Sequence, residues 1–151
     1  LHLTVGDVIR WDRFPYPRTG EIKPRWFIYL GRTTVFSTPV FAYICTTTTN
    51  IEEFETGGAR CNHACRRFEA RLFPAFAQDC ILDFDEEIHT VTEDIIEGCR
   101  KQIDVKGHLD VDTMRNIYKQ FFRPGVVSRA VMRDIHESFN RDGITGLKMP
   151  K

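Results

Sequence analysis

A phosphodiester can be cut without a metal ion where an Arg stabilises the charge building on phosphate, because its planar fork donates two hydrogen bonds and keeps its proton. The sequence offers such an Arg in Thr19-Gly20-Glu21-Ile22-Lys23-Pro24-Arg25, a polar loop that runs into the apolar stretch Trp26-Phe27-Ile28-Tyr29-Leu30-Gly31. Glu21 stands four residues ahead of Arg25, and hydroxyls cluster at Thr46-Thr47-Thr48-Thr49. Arg13, Arg18, Lys23 and Arg25 interleave with Phe14 and Tyr16 in the same loop. Basic groups hold phosphates and aromatic rings stack bases, a combination suited to single-stranded nucleic acid. Composition alone equally allows a solvated loop with its rings tucked inward.

Other chemistries are weaker. Cys61-Asn62-His63-Ala64-Cys65 has zinc-ligand residue types but no second pair at a recognisable spacing, and only Cys80, His89 or Cys99 could complete it. The expectation is therefore no metal and no cofactor. Asn140-Arg141-Asp142-Gly143 lacks the run of oxygen ligands and the closing Glu of a calcium loop. A Gly-rich phosphate loop, a nucleophile elbow and a metalloprotease helix are all missing, which removes the commonest motif-marked enzyme classes.

The elements that must position this chemistry follow from periodicity. Val8 to Asp12 alternates like a half-buried strand, Trp26 to Leu30 reads as a strand buried on both faces and ended by Gly31, and Val40 to Thr46 resembles it. Between the first two, Pro15, Pro17 and Pro24 restrict a long exposed loop. Ile51 to Arg60 reads as a surface insertion. Further strands are expected at Phe68 to Leu72, Cys80 to Phe84 and Ile88 to Val91, then a turn or short helix over Thr92 to Gly98 and a connection reaching Gly107-His108-Leu109. Asp110 or Asp112 can cap a helix with Met114, Ile117, Tyr118 and Phe121 on one face, stopped by Arg123-Pro124-Gly125. Ser128 caps a last helix carrying Val131, Ile135 and Phe139. This predicts a mainly β fold with C-terminal helices (α+β), closing a small curled sheet or barrel.

At 151 residues the chain suits one domain with a real core. Charge is balanced overall but uneven. Residues 1 to 78 hold ten Lys or Arg against seven Asp or Glu, whereas Asp79 to Glu97 holds eight acids and no Lys or Arg, so the front half is the side that meets an anion. A balanced total argues against a broad, non-specific nucleic-acid coat. Five cysteines, at 45, 61, 65, 80 and 99, do not form the even frame of a small secreted domain, so reduced thiols are expected. No run approaches a membrane span and the first residues lack a signal-peptide pattern, so the expectation is a soluble, cytoplasmic protein without membrane contact.

Gly6-Asp7-Val8-Ile9-Arg10-Trp11-Asp12, then Gly20-Glu21 ahead of Lys23-Pro24-Arg25 and an apolar strand, then a Thr-rich third strand, resembles the MazF/PemK family of toxin endoribonucleases over roughly residues 5 to 50. Phe68-Glu69-Ala70, the strand around Cys80 to Asp85, and Gly107-His108-Leu109 fit the family's later half more loosely. The resemblance implies an SH3-like barrel over residues 1 to 122, with 123 to 151 a helical extension packed on the same domain. It also implies a homodimer that cuts single-stranded RNA at short sequences without metal and is restrained by an antitoxin partner. Carried over by position, the family's catalytic Arg falls on Arg25, its loop Glu on Glu21, its catalytic Thr on Thr47 or Thr46, and an assisting acid near Asp85. RNA contacts fall to Arg13, Arg18, Lys23 and Thr46. The expected reaction is attack of the RNA 2′-hydroxyl on the adjacent phosphate, Arg25 stabilising charge and Thr47 positioning or donating to it. A non-catalytic binding module of the gyrase-inhibitor kind, and an inactive scaffold whose helices carry the function, are the rival readings. Convergence of Arg25 and Thr46 to Thr49 on one open groove separates catalysis from both.

Overall fold

The computed structural model describes residues 1–17, 20–34, 38–123 and 125–150. Seven strands make one antiparallel sheet: β1 (Asp7–Trp11), β2 (Arg25–Arg32), β3 (Phe41–Thr48), β4 (Cys65–Phe68), β5 (Cys80–Asp83), β6 (His89–Thr92) and β7 (Ile103–His108). A short helix, α1 (Glu93–Gly98), follows β6, and two longer ones, α2 (Val111–Phe121) and α3 (Arg129–Arg141), end the chain. The strand path is β4-β5-β3-β2-β1-β7, with β6 also on β3. β3 is the hinge of this arrangement. One of its edges pairs with β2, while the other is shared in sequence by β6, at Phe41 to Ile44, and by β5, at Thr47 and Thr48.

Both faces of the central strands are buried, which is why Trp26 to Leu30 shows no polar alternation. Val8, Ile28, Leu30, Tyr43 and Cys45 point to one face and pack against Met114, Ile117, Tyr118 and Phe121 of α2 and Met132, Ile135 and Phe139 of α3. Ile9, Trp11, Phe27, Tyr29, Ala42 and Ile44 point to the other and enclose a second core with Phe14, Val91, Ile96 and Ile103. The last helix thus shares one core with the strands rather than forming a separate unit.

Several boundaries differ from those the sequence suggests. β2 does not end at Gly31; it continues to Arg32 through a register shift between Tyr29 and Gly31. The strand expected over Phe68 to Leu72 instead occupies Cys65–Phe68, because Leu72 and Phe73 turn back in hydrogen bonds to the Glu69 carbonyl. The stretch read as a connection before Gly107 is β7, the partner of β1. The sheet is not closed into a barrel by the pairings described: β4 and β7 are the outer strands of the path.

Helix caps are where the sequence fixes local structure most directly. Asp110 rather than Asp112 caps α2, one carboxylate oxygen accepting from the Thr113 amide at 3.1 Å and the other from its hydroxyl. The Thr113 side chain holds the Asp110 carboxyl below the usual carboxylate range, the Thr113 amide adding to the effect and partial burial opposing it. A carboxyl lowered on folding stabilises above its unfolded titration range and loses that contribution as pH falls through its folded value. Asp110→Ala is expected to cost about 1 kcal/mol near neutral pH. Denaturant titrations of both proteins should show the gap at pH 7 and its loss in acid; a gap that persists in acid would rule out the charged cap as its source.

Candidate active site

The loop after β1, the start of β2 and the end of β3 meet at a cleft of about 250 Å³, bordered by Tyr16, Lys23, Pro24, Arg25 and Thr46 to Thr49. Phe14 closes one wall, in edge contact with Trp11 at 5.0 Å, so the aromatic part of the loop is anchored in the second core while Tyr16 stays half exposed. Proline at 15, 17 and 24 has no amide hydrogen to give to a sheet ladder.

Strand register decides which side chains share a face. Arg25 pairs with Trp11, Trp26 with Thr47, and Phe27 with Thr46. Alternation therefore puts Arg25, Phe27, Thr46 and Thr48 on one face and Trp26 and Thr47 on the other. Thr48 accepts from the Asn50 amide at 3.2 Å and shapes the turn after the strand. The Thr46 hydroxyl is buried and has no hydrogen-bond partner among the described residues. Such groups are uncommon in folded proteins, and this oxygen lies beneath the cleft surface, closed to solvent. Thr47 reaches the cleft rim but also lines a smaller pocket of about 40 Å³ with Trp26, Phe76, Gln78 and Cys80. There burial pushes the Cys80 thiol up to about 11, against the opposing pull of its hydrogen bond with Thr47.

The remaining residues singled out from sequence divide between cleft and surroundings. Arg25 Nη2 donates to the Glu21 carbonyl at 3.2 Å, so Glu21 supports the guanidinium through its backbone. The Glu21 carboxylate is exposed and 3.9 Å from Lys23 Nζ. Asp85 lies away from the cleft lining: one oxygen accepts from the Ala64 amide at 2.8 Å and the other faces Arg123 at 3.4 Å, tying the end of β5 to the approach to β4 and the end of α2. Arg13 is exposed in the turn after β1 and does not line the cleft. Arg18 lies outside the described residues.

Three cleft residues are invisible to the local sequence pattern. Arg60, from the segment read as a surface insertion, enters with its guanidinium 2.7 Å from Glu53, 3.3 Å from Asp83 and 3.7 Å from Glu86, and lies over the Phe54 ring at 5.0 Å. Glu86 borders the cleft beside it, and His89 of β6 completes the wall. The only local sign of His89 was its place in an alternating Ile-His-Thr-Val run, which says that a polar ring points to one face without saying what lies there.

Cys61 and Cys65 are both exposed. The potential ligands brought close among the described residues are instead His63, Asp83 and Asp85. Asp83 is buried, and its oxygens already accept from the Asp85 amide at 2.9 Å and Arg60 at 3.3 Å and meet His63 Nδ1 at 2.7 Å. With Arg60 and Arg123 both against this acid pair, its charge is balanced by side chains, a donor set that fits an Arg–Asp–His network better than a cation.

No protein-family model, curated protein or solved structure matches this chain. Its antiparallel sheet with C-terminal helices is therefore characterised by its own geometry. None of its described helices is long and apolar enough to cross a membrane.

Proposed function

We propose that the protein is a metal-independent endoribonuclease of the MazF/PemK type, acting on single-stranded RNA. The observation that carries this reading is the meeting of Arg25 and the Thr46 to Thr49 tract at one open cleft, with Arg25, Thr46 and Thr48 on one face, beside Lys23 and Tyr16. A phosphate seated there meets a two-donor cation and a hydroxyl donor, and a base beside it meets an aromatic ring. Thr47, which reaches the cleft rim, and Thr46, on the face of Arg25, are the catalytic threonines of this reading. In this reading residues 1 to 122 are an SH3-like barrel, although the outer strands β4 and β7 of its sheet are not paired with each other among the described residues. An antitoxin protein, a homodimer and a cytoplasmic setting belong to the same proposal.

The test is incubation of pure protein with mixed-sequence single-stranded RNA in excess chelator, followed by end-group analysis. Because a side-chain cation stabilises the phosphate charge, cleavage is expected to survive chelation undiminished and to leave a 2′,3′-cyclic phosphate and a 5′-hydroxyl. Cleavage lost in chelator and restored by zinc would point to metal chemistry. No cleavage of any RNA would favour a binding module built on the same cleft.

A further inference from the structure

Transfer of the 2′-hydroxyl proton needs an acceptor, and none of the residues expected from sequence supplies one in the cleft. Arg25 and Lys23 are cations, the threonines are donors far too weakly basic, and Glu21 does not line the cleft, its exposed carboxylate lying 3.9 Å from Lys23 Nζ. Glu86 borders the cleft but faces Arg60 at 3.7 Å, which favours its role as a counter-ion. His89 remains. β6 pairs with β3 so that His89 stands opposite Ile44, on the face that carries Phe27 and Thr46, and Thr46 is its diagonal neighbour across the ladder. Two rings fix its plane, Phe14 at 5.1 Å and 80° and Phe27 at 5.7 Å and 89°, both edge-on. An imidazole held this way between apolar rings, with its rim on the cleft that holds Arg25, is a preorganised proton acceptor.

Resting on the RNA-cleavage reading, we propose that His89 is a catalytic residue: its neutral ring accepts the 2′-hydroxyl proton as the 2′-oxygen attacks phosphorus. The new O–P bond forms while the P–O5′ bond breaks, the departing 5′-oxygen takes a proton from water, and the imidazolium returns its proton to solvent before the next turnover. Nothing is oxidised or reduced. The charged groups sharing the cleft with the ring are Lys23, Arg25, Arg60 and Glu86, and Glu87 is close by in the chain. From β3, Ile44 stands opposite it and Thr46 diagonally, and neither carries charge.

The experiment is single-turnover cleavage across pH in chelator by wild type, His89→Gln, His89→Asn and Arg25→Lys. Each is run on an ordinary RNA and on one whose bridging 5′-oxygen at the cut is sulfur, a leaving group that needs no proton. Wild type is expected to speed up with rising pH to a plateau. His89→Gln should lose that rise and fall about a hundredfold or more on both substrates, with RNA binding and thermal unfolding close to wild type. His89→Asn serves if His89→Gln does not fold. Two results overturn the assignment while leaving the function in place: His89 variants that cut at the wild-type rate beside a crippled Arg25→Lys, and recovery on the sulfur substrate, which would make His89 the acid. Wild type that cuts no RNA overturns the function and the assignment together.

Discussion

Arg25→Lys is expected to slow single-turnover RNA cleavage by about a hundred- to a thousandfold while leaving RNA affinity within a few-fold of wild type. Lys keeps the charge but loses the planar pair of donors, and an electrostatic donor acting mainly in the transition state is worth roughly 3 to 4 kcal/mol. The geometry sharpens this expectation. Arg25 is half-buried at the first position of β2, braced by the Glu21 carbonyl at 3.2 Å, so its fork is held before any substrate arrives. Arg13, exposed one turn after β1 and outside the cleft, is the natural control. Arg13→Ala should weaken RNA binding modestly, and mainly at low salt, because it contributes only screened attraction. Neither change opens a core cavity, so both proteins should unfold near the wild-type temperature. Rates and affinities measured side by side decide the matter: small and equal effects at Arg25 and Arg13 would remove Arg25 from the chemistry.

What the sequence reveals here depends on how far a signal travels along the chain. Caps, stripes and buried strands act over a few residues, so Asp110, Ser128, the α2 face from Met114 to Phe121 and the apolar run of β2 are readable without a structure. Arg25 and the Thr tract are readable too, because each sits at the end of such a strand. β7 is not. It is an outer strand whose Asp104, Val105, Lys106 and His108 are exposed, and an edge strand facing water has no apolar alternation to betray it. Arg60, Glu86 and His89 were hidden for a different reason. They converge only because β3 lends one edge to both β5 and β6, and that division depends on pairing between distant segments. Asp85, which the family resemblance suggests as an assisting acid, lies outside the cleft lining, its oxygens facing the Ala64 amide and Arg123.

The largest effect on stability should come from Gly31. Within β2 it adopts φ +136 at the register shift, where α3 crosses the strand. Ser138 of α3 is fully buried there, its hydroxyl accepting from the Arg32 amide at 3.0 Å and donating to the Arg32 carbonyl at 3.1 Å. A Cβ at position 31 would collide with the Ser138 side chain, and any L-residue would be strained at this φ. The strain contributes about 1 to 2 kcal/mol and forced overpacking about 1 to 3, so Gly31→Ala should destabilise by roughly 2 to 5 kcal/mol. Ser138→Ala removes the hydroxyl instead and leaves two Arg32 backbone groups without their partner, at about 1 to 3 kcal/mol. Because both changes act on one contact, the double variant should lose less than the sum of the single losses. Equilibrium denaturation of the four proteins tests this seat directly. A Gly31→Ala loss below about 1 kcal/mol would mean that α3 shifts freely on β2, since a rigid packed contact cannot absorb the added carbon so cheaply. The cleft lies at the opposite end of β2, so the folded fraction of Gly31→Ala should keep its cleavage rate, separating damage to the helix seat from damage to the Arg25 site.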